Sequence, residues 1–290
     1  MKAAFTLDDL PLWPHSANPD GYTADSITDA LIEALDSNRI RGVYAFANSW
    51  ALVKHPELSR VLDRWVAAGH HVANHTHSHP LLNDVEADRY IEEIDLAEEH
   101  LGPWMSKAPK RFFRYTLNLW GDTDEKRRRV KAHLDARDYA ITEVTTWFYE
   151  WRWNTAFTNC LARDDQDGIS FLKQSFSDFS IAQLRYDFDF AAKWFGGDIK
   201  GITLGHNVPF FADVADAFFA ALRAAGLEFI SLEEAAADPH YGEAASVVCR
   251  KFLNYQQKLA WVAGQPIPEI VPEYQATFDR VVEMSAGKRA

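Results

Sequence analysis

Short apolar runs alternate along the chain with longer stretches whose apolar residues recur every three to four positions. Residues 3–7 (AAFTL) predict a strand that ends in two aspartates. Residues 24–36 predict an amphipathic helix, with Ile27, Ala30, Leu31 and Leu35 on one face and Asp25 as its cap. A strand over 42–46 follows, then a helix over 57–68 stopped by Gly69, then a brief strand over 71–74 that runs into a histidine cluster. The alternation continues with a helix over 85–101, a strand over 111–115, a helix over 122–137 and a strand over 139–144. It closes with a helix over 178–195, a strand over 200–204, a helix over 210–224 and a last strand over 227–231.

About seven strand–helix units in this order predict an α/β fold, a parallel sheet with crossover helices. An open doubly wound sheet and a closed barrel both fit the pattern. No glycine-rich fingerprint follows the first strand, which weighs against a dinucleotide-binding domain. Beyond residue 242 the pattern changes. Residues 244–263 predict one helix, Gln265-Pro266-Ile267-Pro268 breaks it, and 273–284 predict another. The expected organisation is a domain over 1–242 with a helical C-terminal extension, 243–290, packed on it.

The length of 290 residues suits one large domain, or one with such an appendage. With 47% hydrophobic residues the chain can bury a large core without disulfides or a structural metal, and its two cysteines make no disulfide framework. A net charge of −12 repels phosphate backbones, so no nucleic-acid partner is expected. The one dense basic run, Lys126 to Arg129, follows Asp122, Asp124 and Glu125, the order in which a solvated helix complements its own dipole. No apolar run approaches the roughly 20 residues that span a bilayer, so no membrane partner is expected. The residues given open without a charged-then-apolar leader, and the expectation is a cytoplasmic protein. A homo-oligomer is compatible with the chain.

Chemistry is sought where parallel strands end. Asp8 and Asp9 end the first strand, and adjacent carboxylates need a partner: a metal ion, an arginine or a proton. A helix cap or turn pair is the plainer alternative. In His75-Thr76-His77-Ser78-His79, two imidazoles four residues apart can meet one metal. His77 would then face away, and His70 and His71 would be bystanders. Arg114 ends an apolar strand, where a guanidinium needs a carboxylate. His206 emerges from another, as a site residue or a satisfied core histidine. Together they form a mechanism. Two histidines and one aspartate hold a zinc ion with an open position for water. The second aspartate is the general base, a histidine opposite is the general acid, and the arginine fixes the base. The reaction is metal-assisted hydrolysis of an amide or ester. On the residues alone, which aspartate is base and which is ligand stays open.

The ordered set resembles the polysaccharide deacetylase family, the NodB-homology or carbohydrate esterase family 4 group, over about residues 3–242. Thr6-Leu7-Asp8-Asp9 is similar to the family's T-F-D-D motif, and His75 to His79, between Asn74 and Pro80, is similar to its H-[ST]-x-x-H motif. Phe113-Arg114 begins the third motif, and His206 sits where the fifth has its histidine. The resemblance implies a distorted (β/α)7-type barrel and a divalent metal, most simply Zn2+. It implies Asp8 as the base, Asp9, His75 and His79 as metal ligands, Arg114 as the residue orienting the base, and His206 as the acid. Two motifs depart from the family. The third, usually R-x-P-[FY], reads Arg114-Tyr115-Thr116-Leu117, so the backbone N–H of Leu117 is left as the oxyanion donor. The fourth, usually an Asp before Trp, reads Glu150-Trp151, with Glu150 as the group that polarises His206.

Tryptophans 13, 120, 147, 151 and 153 lie at or after strand ends, and flat rings suit sugar faces. Trp13, Trp120 and Trp151 are the expected substrate-binding residues, with core or loop packing as the plainer alternative for each ring. The expected function is a metal-dependent deacetylase acting on an N- or O-acetylated oligosaccharide. Two alternatives stand beside it: a hydrolase of a small non-sugar amide or cyclic imide on the same site, and a non-catalytic carbohydrate-binding barrel. The latter would be expected to lack some of these ligands, and the sequence lacks none.

Overall fold

A computed structural model of the chain describes residues 1–14, 17–246, 248–267 and 269–287. Among these residues, eight strands curl into one parallel sheet: β1 (Lys2–Leu10), β2 (Tyr44–Ala47), β3 (His71–Asn74), β4 (Phe112–Phe113), β5 (Ala140–Ile141), β6 (Thr146–Trp147), β7 (Gly201–His206) and β8 (Glu228–Phe229). Their order is β5-β4-β3-β2-β1-β7-β6, with β8 beside the first residues of β1. The strand predicted over 139–144 is in fact a bent stretch that serves both ends of the sheet. Ala140 and Thr142 donate their N–H groups to β4-side carbonyls of Arg111 and Phe113, both at 2.9 Å, whereas Thr145 N–H donates to Ile202 of β7 at 2.9 Å. One chain segment thus joins the two edges and curls the sheet into the expected distorted α/β barrel.

Eleven α-helices lie among the described residues: α1 (Ala24–Ser37), α2 (Trp50–Lys54), α3 (Ser59–Ala67), α4 (Ala87–Met105), α5 (Asp124–Ala136), α6 (Glu150–Leu161), α7 (Gln166–Phe195), α8 (Pro209–Ala224), α9 (Leu232–Ala236), α10 (Tyr255–Val262) and α11 (Gln275–Ser285). Their apolar faces bury the core against the outside of the barrel. Ile27, Leu31 and Leu35 of α1 pack beside Phe211, Phe218 and Phe219 of α8 in one continuous cluster. The cap of α1 is Thr23, not Asp25: Thr23 Oγ1 accepts from Ser26 N–H at 3.0 Å and Ser26 Oγ accepts from Thr23 N–H at 2.9 Å. Asp25 instead pairs with Arg60 at 2.6 Å and Arg64 at 3.1 Å on α3.

α6 is not among the predicted helices; its residues, Glu150–Leu161, begin within the fourth motif. α7 begins a dozen residues earlier than expected. Gly168 and four serines dilute its pattern, yet Leu172, Phe176 and Phe179 keep one buried stripe. The single helix expected over 244–263 is not formed. Pro239–Ser246 makes a 3-10 turn and α10 starts only at Tyr255, where the Asn254 side chain accepts from Gln257 N–H at 3.0 Å and caps the helix. Of the residues expected to break the chain after it, Pro268 lies outside the described residues.

The C-terminal elements contact the barrel directly. Tyr255 N–H donates to Val144 at 2.8 Å and Gln256 Nε2 to the Thr145 carbonyl at 2.8 Å. Asn159 of α6 donates to the Met284 and Ser285 carbonyls of α11 at 3.0 and 2.9 Å. Among the described residues no helix is long and apolar enough to cross a membrane.

Candidate active site

Successive side chains of a strand point to opposite faces, so Asp8 and Asp9 should diverge. They converge because β1 is bulged: the pairing to β2 shifts between Asp8 and Leu10, and Asp9 takes the left-handed conformation at φ +66°. Both carboxylates therefore open into one cavity at the C-terminal end of the barrel. The same device recurs around it. Of the nine non-glycine residues with positive φ among those described, six (Asp9, Thr76, His79, Leu117, Asn118 and Tyr149) sit at these strand ends. Such conformations cost free energy, and they concentrate at these strand ends.

After β3, Asn74 fixes the histidine turn. Its Oδ1 accepts from Thr76 N–H at 2.9 Å, and its amide donates to Ile94 and Tyr139 at 3.0 and 3.1 Å. His75 Nδ1 lies 2.8 Å from the Arg114 carbonyl, which can only accept, so the proton is on Nδ1 and the Nε2 lone pair faces the cavity. Burial holds the His75 pKa below the usual imidazole value, which keeps it neutral. Asp9 Oδ1 is 3.6 Å from His79 Nε2 and 4.0 Å from His75 Nε2, and one donor atom from each of the three lies within 4.8 Å of the others. His77 does face away, with Nδ1 at 2.7 Å from Ser49 Oγ. His70 lies against Trp65 with ring centroids 4.5 Å apart, and His71 lies against Tyr44.

Arg114 reaches in from the end of β4. Its Nη1 donates to Asp8 Oδ1 at 2.6 Å and to Thr6 Oγ1 at 2.9 Å, and its guanidinium lies over the Phe46 ring. Leu117 lines the cavity with φ +49°. From the opposite side, β7 brings His206. Gly205 before it is sterically required, since a Cβ there would meet Phe211 at 2.8 Å. His206 Nδ1–H donates to Glu150 Oε1 in a short contact, and Nε2 points inward, 4.0 Å from Asp9 Oδ2. The left-handed Tyr149 turns the chain so that Glu150, first residue of α6, reaches back to it. Burial alone would lower the His206 pKa, but the Glu150 charge and hydrogen bond outweigh it and hold it up at about 9.

The cavity is about 380 Å³. The indole rings of Trp13 and Trp151 stand nearly perpendicular to the His206 ring, at 4.9 and 5.4 Å. Trp120, expected to face substrate, does not: it is buried, stacked on Tyr115 at 4.8 Å, because the turn after β4 carries it inward. Trp153 packs on Phe179 in the core, and Trp147 lines the cavity. The motif reading missed Phe252, which lines the cavity and stacks on Trp147 at 4.4 Å. It also missed the buried Lys258–Glu143 ion pair at 3.2 Å. An isolated Phe or Lys in a polar segment gives no sequence signal for either.

This is a parallel α/β barrel whose strand ends gather a carboxylate–histidine–histidine cluster between an arginine-held aspartate and a glutamate-held histidine. A family model described as Polysaccharide deacetylase matches residues 2–137. A chitooligosaccharide deacetylase of Bradyrhizobium sp. (strain ANU 289) is 29% identical over 119 residues, 39% of this chain and 52% of that one. Among solved structures, a mutant of a Bacillus anthracis CE4 family pseudoenzyme, with restored enzymatic activity, superposes with a TM-score of 0.54 at 15% identity over 81% of this chain and 66% of that one. Bacillus subtilis PdaA, a family 4 carbohydrate esterase, gives 0.51 at 16% identity over 81% and 80%. Over residues 2–137 the chain is similar to the polysaccharide deacetylase family, and over most of its length it has the fold of the family 4 carbohydrate esterases. It spans about half the length of the curated relative.

Proposed function

We propose that the protein is a metal-dependent hydrolase that removes acetyl groups from an N- or O-acetylated carbohydrate. The observation that carries this reading is the convergence of Asp9, His75 and His79 between Asp8 and His206. The donor set suits a divalent cation. Ligand bonds of about 2.0–2.2 Å in tetrahedral geometry separate ligand atoms by about 3.3–3.6 Å, close to the 3.6 and 4.0 Å separations from Asp9. When bound, a cation such as Zn2+ supplies a lowered water pKa and a polarised acyl carbonyl.

The chain's own residues do the rest in this reading. Asp8, fixed by Arg114, takes the proton of the attacking water. The Leu117 backbone N–H donates to the acyl oxygen as negative charge develops on it. His206, protonated and oriented by Glu150, gives its Nε2 proton to the departing amine or alcohol. Trp13 and Trp151 flank the leaving group. Residues 1–242 are the proposed catalytic domain, and 243–290 an extension packed on it.

The test combines metal analysis of the purified protein with acetate release from a panel of acetylated sugars and small amides. The reading expects roughly one divalent ion per chain and chelator-sensitive release from the sugars. Release from the small amides or imides alone would favour the non-sugar hydrolase, and a metal-free, inactive protein would favour the binding barrel.

A further inference from the structure

We propose that the C-terminal segment 249–262 is a specificity wall that restricts the cavity to a single acylated ring or a chain end, with Phe252 as its contact residue. This rests on the carbohydrate deacetylase reading and narrows its substrate class.

The cavity volume of about 380 Å³ lies near the bottom of the range of small-molecule pockets, roughly 300–1,000 Å³. Its boundary beside the histidine is aromatic and continuous. Trp13 and Trp151 flank His206, Phe252 lies 5.9 Å from Trp151, and the Phe252 ring lies nearly parallel to Trp147, at 19° and 4.4 Å. A polymer bound through an interior ring must continue on both sides of the reacting group, and Phe252 occupies one of those sides.

The wall is also fixed. Asn118, itself lining the cavity, donates to the Leu253 carbonyl at 3.3 Å. Tyr255 N–H donates to the carbonyl of Val144, another lining residue, at 2.8 Å. Lys258 Nζ reaches both Glu143 oxygens at 3.2 Å, with both side chains about 2% exposed. Swinging the segment aside would leave a carboxylate and an ammonium unpaired in the interior, which is strongly unfavourable. The segment lies outside the residues that the family model matches.

The experiment measures binding, by tryptophan fluorescence, and acetate release for N-acetylglucosamine and its β-linked tetramer. The metal-loaded wild type is compared with Phe252→Ala and Phe252→Trp. The wild type is expected to bind the monomer at least as tightly as the tetramer and to deacetylate the tetramer only at a chain end. Phe252→Ala should weaken monomer binding about tenfold, equivalent to about 1.4 kcal/mol, and admit interior rings. Phe252→Trp should keep the wild-type preference. Tighter tetramer binding by the wild type with interior deacetylation, or an unchanged preference in Phe252→Ala, overturns the wall. Binding without acetate release from either sugar removes N-deacetylation of these rings from the deacetylase reading, and the binding preferences still decide the wall. If neither sugar binds any of the three proteins, the wall falls.

Discussion

Arg114 donates to Asp8 at 2.6 Å across the barrel end, from a strand 106 residues further along the chain. Both side chains are almost fully buried, and the same nitrogen also reaches Thr6, whose hydroxyl donates onward to the Thr203 carbonyl at 2.7 Å. Three strands therefore share one anchored charge. A carboxylate held in this way has one rotamer and one free oxygen, and that oxygen, Oδ2, lies on the His75 side at 3.6 Å from Nε2. In the proposed mechanism, a proton acceptor fixed in this way beside the candidate metal site avoids reorganisation during reaction.

Arg114→Met should leave Asp8 as an uncompensated buried charge. Removal of one partner from such a pair costs about 3–5 kcal/mol, to be read from urea unfolding. Arg114→Lys keeps the charge but cannot serve Asp8 and Thr6 in the same planar geometry. It should recover part of the stability and little of the acetate release.

Substitutions at the two adjacent aspartates should separate cation binding from turnover. Asp9→Asn and His79→Ala remove donors from the cluster and should lower metal content measured by mass spectrometry. Asp8→Asn should leave the metal content near wild type while slowing acetate release by about 10²–10⁴-fold, the usual contribution of a general base. Full activity in Asp8→Asn would remove it from the proposed mechanism.

Much of this site was legible in the sequence because its parts are local. A strand ending in Asp8-Asp9, a His75–His79 spacing of four, and an arginine or histidine closing an apolar run each occupy one short window. Periodicity likewise predicts α1 and α8, whose apolar faces are strong. What local pattern does not encode is pairing at a distance. The bend that lets residues 140–147 join both edges of the sheet depends on the register of β4 and β7. The bulge at Asp9 depends on how β1 meets β2. Trp120 and Trp151 each follow a motif, yet a tight turn buries one ring while a helix start presents the other. Phe252 and Lys258 come more than 100 residues after the strand ends that they complete, in a segment whose pattern predicts a helix packed on the barrel but not which of its side chains reach the cavity.

The Lys258–Glu143 pair offers a check on how firmly that segment is held. Desolvation raises the Glu143 pKa, and the charge and hydrogen bond of Lys258 oppose it, so the Glu143 carboxylate depends on Lys258. Lys258→Met alone should destabilise the protein by about 3–5 kcal/mol. Lys258→Met with Glu143→Gln should recover most of that loss, since no charge then remains unpaired. Guanidinium unfolding of the four proteins in a double-mutant cycle measures the coupling. A coupling below about 0.5 kcal/mol would mean that the pair is not formed in solution.

Asp187 predicts a pH dependence of stability that does not involve the cavity. It lies on α7, about 1% exposed; Asn254 donates to Oδ1 at 3.2 Å, while Oδ2 has no hydrogen-bond partner among the described residues. Burial, only partly opposed by hydrogen bonds, raises its pKa to about 8. The unfolded carboxyl ionises near its ordinary value of 3.8. Between those values the folded protein binds a proton that the unfolded chain has released, so the contribution of Asp187 falls as pH rises from about 4 to about 8 and levels off above that. Asp187→Asn carries no such proton. Its stability relative to wild type should therefore climb through that window by an amount on the order of a few kcal/mol and be flat above pH 8. Urea unfolding of both proteins at pH 5, 6.5, 8 and 9 measures the difference. A difference that does not change with pH would show that Asp187 ionises in the folded protein as readily as in the unfolded chain.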